Sequence, residues 1–228
     1  MHASSATHLP ETRWLMEQYV AAQLAGDRRA ALRLILEHGI EQGVPLPSLY
    51  LDVIQAAQHR IGELWQENRI SVAQEHMATA ITQVALAELY RALVCETPNG
   101  RRVTVACVGG ELHELGTRVT ADFFEMAGFD VRYLGANVPT DSVVGMVREQ
   151  QPHLLVLSAT TSLLNVADLV ETARRSREAL GSTLRLAVGG LAFDLHPMLI
   201  DQLGAEIYGR TAPESVARAR QVLGLDAS

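Results

Sequence analysis

Cysteine is nearly missing from this chain: two in 228 residues, Cys95 and Cys107. Two such thiols are too few for a disulfide framework and lack the close spacing of a metal-binding pair. Cys107 falls in an apolar run and reads as a small core residue. Basic charge is also in short supply, with 19 Lys and Arg against 26 Asp and Glu and a net charge of −7. That balance argues against a nucleic-acid surface, which needs clustered cations. No apolar run reaches the length of a membrane span, and residues 1–10 lack the charged start and apolar core of a signal peptide. A soluble, cytoplasmic chain is therefore expected.

What the chain does have is apolar bulk, 48% of its residues, enough to bury a real core in one large or two smaller domains. Residues 1–10 read as a disordered leader. From Glu11 the spacing of Trp14, Leu15, Tyr19 and Ala22 predicts a helix ended by Gly26. Asp27 caps a second, carrying Ala31, Leu34, Ile35 and Ile40 and ended by Gly43. After Pro45 and Pro47, a third carries Leu49, Val53, Ile54, Ala57, Ile61 and Leu64. Ser71 and Gln74 have capping-box spacing and open a fourth with Met77, Ile81, Val84 and Leu89. Residues 11–97 are thus expected to form a four-helix antiparallel bundle. Apolar positions around Tyr19, Leu24 and Tyr50 exceed what such a bundle must bury, which points to self-association.

Residues 98–102, Pro-Asn-Gly-Arg-Arg, read as a linker. Beyond it, strands at about 103–108, 130–134, 154–158, 185–188 and 206–208 alternate with helices at about 116–127, 140–150, 163–180, 195–203 and 213–223. Strict alternation predicts a five-stranded parallel sheet covered on both faces, an α/β domain over 103–228. A flavodoxin-like order would open its crevice at the ends of strands one and three. Glu111, Leu112, His113 and Gly116 lie at the first. Ser158 and Thr160, with Thr161 and Ser162, lie at the third, and Gly189-Gly190 ends the fourth. A histidine in a polar loop is ordinarily a surface or capping residue. Here Glu111 is two positions before His113, so a carboxylate can orient the imidazole as a metal ligand.

Glu111-x-His113-x-x-Gly116, Leu157-Ser158, Gly189-Gly190, Tyr133-Leu134-Gly135 running into Pro139, and Gly204-Ala205-Glu206 together resemble the Rossmann-like cobalamin-binding domains of the methionine-synthase type. That resemblance implies that His113 ligates cobalt from below, with Glu111 as its partner. It also implies that the displaced nucleotide tail enters a slot lined by Gly116, Ser158, Thr160, Ser162, Gly189 and Gly190, with Leu112 beside the ligand. Most corrinoid carriers have Asp where this chain has Glu111. Trp65, Ile70, Ser71-Val72 and Glu75-His76 are similar to the helical cap of light-sensing, adenosylcobalamin-dependent repressors of the CarH type. By that resemblance Trp65, Val72, Glu75 and His76 face the adenosyl group. Trp65 also reads as a bundle anchor, and Glu75-His76 as a solvated pair in a first helical turn.

The expected function is a light-responsive cobalamin sensor that performs no turnover, in which loss of the adenosyl group changes domain arrangement or oligomeric state. Two departures from those repressors stand out: Gln66 replaces the histidine after the tryptophan, and the residues before Glu11 are not expected to supply a DNA-binding domain. A related photosensor group pairs cobalamin with an open-chain bilin, which makes biliverdin the second cofactor considered. A homo-oligomer or a separate protein effector is expected as partner, with no nucleic acid or membrane. The alternative is a corrinoid methyl carrier serving methyltransferases. A receiver-like signalling domain fits poorly, because its acidic cluster, phospho-accepting Asp and later Lys are missing.

Overall fold

A computed structural model describes residues 9–160 and 166–226. The expected leader falls almost wholly outside them. So do Thr161 and Ser162. The chain divides into two compact units after Leu93. Val94 to Arg101, which includes most of the expected linker, belongs with the second unit. There Glu96 N–H donates to Met126 and Asn99 N–H to Gly128.

In the first unit the described residues make four helical rods. They are α1 (Leu9–Leu24), α2 (Arg28–Arg33) running on through Leu34–Ile40, α3 (Leu46–Ser48) running through Leu49–Gln55 into α4 (Ala56–Gln66), and α5 (Val72–Arg91). Asp27 Oδ1 accepts the Ala30 N–H at 2.9 Å, and Ser71 and Gln74 exchange both capping-box bonds, as the spacing predicts. The surprise lies inside the second and third rods. Leu34–Ile40 and Leu49–Gln55 are π-helical, with bonds that reach five residues back, such as Glu41 N–H to Leu36 C=O. The two stretches touch where a β-carbon on Gly39 would lie 2.9 Å from Leu49 Cδ2. No periodicity argument separates a π turn from an α turn over seven residues.

Leu49, Val53, Ile54, Ala57, Ile61 and Leu64 are all buried as expected. The apolar excess offered as a ground for self-association is not found. Tyr19 and Tyr50 are fully buried and Leu24 is partly so, because α1 turns Tyr19 inward, where its hydroxyl meets Thr82 Oγ1 at 3.2 Å. Met77, expected in the core, is exposed.

The second unit carries a five-stranded parallel sheet: β1 (Arg102–Cys107), β2 (Asp130–Tyr133), β3 (Leu154–Ser158), β4 (Arg185–Gly189) and β5 (Ile207–Tyr208). Its order is β2-β1-β3-β4-β5. Between the strands run α6 (Leu115–Met126), α7 (Thr140–Gln150), α8 (Val166–Leu180), α9 (Leu191–Leu195) and α10 (Met198–Leu203), and α11 (Ala212–Val222) closes the fold. Every residue of β3 is buried and edge strand β2 alternates, as helix-covered centre and edge require. The helix expected at 195–203 is instead broken at His196-Pro197, since proline disfavours helical backbone before it. Register pairs Ser158 with Gly189 and Cys107 with Ser158, so three strand ends meet on one rim.

Candidate functional site

The β1–α6 connection is ordered by one carboxylate. Glu111 is 1% exposed and accepts from His113 N–H at 2.8 Å, His113 Nδ1 at 2.7 Å, Thr160 N–H at 2.6 Å and Thr160 Oγ1 at 2.7 Å. Burial alone would raise its pKa. The bonds from His113 and Thr160 outweigh that and hold it at about 2. Glu111 is therefore a buried anion at neutral pH, and it places the imidazole proton on Nδ1. The His113 side chain is itself 69% exposed. Leu112, beside it, is a large apolar side chain left 69% exposed.

Thr160 does something the sequence did not reveal. Expected in the slot, it spends both its N–H and its hydroxyl on Glu111, and its Oγ1 also lies 3.0 Å from His113 Nδ1. Tyr133, at the end of β2, donates to Glu114 Oε2 at 3.2 Å; burial and then the Glu114 charge push its hydroxyl pKa up. Cys107 lies beneath the loop, with Sγ 3.2 Å from Thr117 Oγ1. Burial first, then the charges of Glu111 and Glu114, push its thiol up to about 11 against the Thr117 hydrogen bond. It stays a neutral core thiol at physiological pH, as the sequence implied.

The glycines divide into two kinds. Gly190 sits at φ +104, and a β-carbon there would lie 2.2 Å from Ala159 C=O, so the close β3–β4 approach demands glycine by itself. Gly116 would meet nothing within 4 Å, and Gly189 nothing nearer than Gly209 C=O at 3.9 Å. Their bareness leaves open space against backbone at the start of α6 and the end of β4. Ser158 is buried at the end of β3, its Oγ 3.3 Å from the same Gly190 position.

In the helical unit, Trp65 ends α4 and is 47% exposed; Val72 opens α5 and is 52% exposed. Glu75 and His76 pair through Oε2 and Nδ1 in the first turn of α5, and Glu75 Oε1 accepts from Thr79. Gln66, beside Trp65, is exposed. Among the described residues no group of three or more His, Cys, Asp or Glu could hold a bare metal ion. A single histidine suits a metal whose other ligands arrive with it. An exposed imidazole oriented by a buried carboxylate, with open space beside Gly116 and Gly189, fits a cobalt corrinoid on those terms.

Residues 101–217 match the family model of the B12 binding domain, and residues 15–90 match a second B12 binding domain model. Dimethylamine corrinoid protein 3 of Methanosarcina acetivorans is 25% identical over 187 residues, 79% of this chain and 84% of that protein. The HTH-type transcriptional repressor CarA of Myxococcus xanthus is 32% identical over 156 residues, 68% of this chain and 52% of the repressor. Monomethylamine corrinoid protein of Methanosarcina barkeri shares the fold with a TM-score of 0.78 at 18% identity, over 92% of this chain and 99% of that one. No helix among the described residues is long and apolar enough to cross a membrane. This chain belongs to the B12 binding domain family and is a cobalamin-binding protein.

Proposed function

We propose that this chain is a light-responsive regulator that holds adenosylcobalamin with His113 as the lower ligand. One observation carries the lower-ligand part of that reading: an exposed imidazole whose Nδ1 is tied to a buried, ionised carboxylate. With Nδ1 committed, Nε2 is the nitrogen assigned to cobalt. Gly116, Ser158, Gly189 and Gly190 are assigned to the nucleotide tail, and Thr160 to the clamp on Glu111. Ser162, expected in the same slot, lies outside the described residues. Trp65, Val72, Glu75 and His76 are assigned to the upper ligand. The half-exposed apolar side chains of Trp65 and Val72 and the Glu75–His76 pair in the first turn of α5 support that assignment. When bound, adenosylcobalamin supplies a cobalt–carbon bond that visible light breaks. Output then passes through self-association or a separate effector protein.

A second reading, a methyl-carrying corrinoid protein, is favoured by one comparison. The chain spans 84% of Dimethylamine corrinoid protein 3 but only 52% of the repressor CarA. Illumination separates the two. Absorbance and size-exclusion profile of the adenosylcobalamin-loaded protein are expected to change together in light. Bleaching like the free cofactor, with assembly unchanged, would hand the function to the carrier. Trp65→Ala should weaken adenosylcobalamin binding about tenfold while sparing hydroxocobalamin. Equal losses would return Trp65 to the role of bundle anchor. Expression with cobalamin and biliverdin both supplied tests the bilin: a second chromophore band in the purified protein would bring it in.

A further inference from the structure

Glu111 is held at its carboxylate by Thr160, but a carboxylate clamp alone leaves the loop backbone free to pivot. The backbone has its own fastening, from the β2–α7 connection. Asn137 N–H donates to Glu111 C=O at 2.9 Å, and Asn137 Oδ1 accepts the Gly110 N–H at 2.7 Å. The two bonds grip the chain on either side of the Glu111 α-carbon. Asn137 achieves this at φ +52, left-handed backbone that asparagine tolerates better than most residues with a β-carbon. Next to it Val138 bridges Val108, and Val138 N–H donates to Cys107 C=O at 3.0 Å, so the connection is zipped along the end of β1.

The geometry points to Asn137 as a positioning residue that fixes the aim of the His113 imidazole; the inference rests on the lower-ligand reading above. Asn137 binds the loop through backbone groups of Gly110 and Glu111. It acts through the backbone of Glu111, whose other end is set by Thr160. Specificity for an axial nitrogen from the protein then depends on three strand ends, β1, β2 and β3, being locked together.

Asn137→Gly keeps the left-handed backbone and removes only the Oδ1 acceptor. Asn137→Asp keeps both. In the ligand-free protein, amide exchange at Gly110 should speed up about fivefold in Asn137→Gly and stay near wild type in Asn137→Asp. With cob(II)alamin bound, the electron spin resonance of wild type should carry hyperfine splitting from protein histidine. Asn137→Gly should reduce that His-on fraction or loosen binding about fivefold, and Asn137→Asp should restore it. If wild type shows the splitting and Asn137→Gly retains it in full with binding undiminished, the inference is overturned while the lower-ligand reading stands. Should Asn137→Gly fail to fold, Asn137→Asp decides: a loss there despite the retained acceptor overturns it equally. A wild type without histidine splitting overturns the lower-ligand reading and this inference with it.

Discussion

A carboxylate that is almost wholly removed from water yet ionised must draw its stability from donors, and Glu111 has His113 on Oε1 and Thr160 on Oε2. Its pKa of about 2 lies below the ordinary 4.5, so the folded state favours the charged form. That contribution is complete above about pH 4.5 and disappears as pH falls through about 2. Glu111→Gln should therefore cost up to about 3 kcal/mol at pH 7 and progressively less in acid. Urea midpoints at pH 7 and pH 3 check this; an equal difference at both would mean that the charge is not what stabilises the loop. The pairing of Glu111 with His113 was legible from two positions of spacing. Thr160 and Asn137 were not legible as its partners, because they come from other loops 49 and 27 residues away from the groups they hold.

At the level of elements, alternation of apolar runs with helical spacing was enough to read five strands and their order. Parallel strands covered on both faces leave an uninterrupted apolar signature, and β1 and β3 have it. The helices were harder. The π turns at Leu34–Ile40 and Leu49–Gln55 carry the same apolar stripe as α-helix, so pattern alone merged them with their neighbours. Likewise, the apolar positions of α9 and α10 concealed a break that Pro197 imposes. Helix α6 offers a test that separates fold from ligand. Gly116 lies in its first turn with open space around it, so Gly116→Ala should stabilise the ligand-free protein by about 0.5 kcal/mol. The same methyl should weaken cobalamin binding, because it fills space assigned to the nucleotide tail. A variant both more stable and undiminished in binding would remove Gly116 from the slot.

The whole molecule pairs a helical unit rich in buried apolar side chains with a parallel-sheet unit that carries the Glu111–His113 loop. Family membership was legible because five short motifs fall in order along the second unit, four of them at the carboxyl ends of strands, where backbone meets ligand in such folds, and Gly204-Ala205-Glu206 at the start of β5. The output was not legible. A net charge of −7 and an exposed tryptophan describe a surface without naming what it meets. The central claim is that the imidazole of His113 ligates cobalt in place of the cofactor's own base. Protein grown with histidine carrying heavy ring nitrogen and loaded with cob(II)alamin tests it most directly, by electron spin resonance. The account predicts that the axial hyperfine pattern changes with the label in wild type and is absent in His113→Ala. A pattern indifferent to the label, reporting the benzimidazole nitrogen of the cofactor itself, would contradict it.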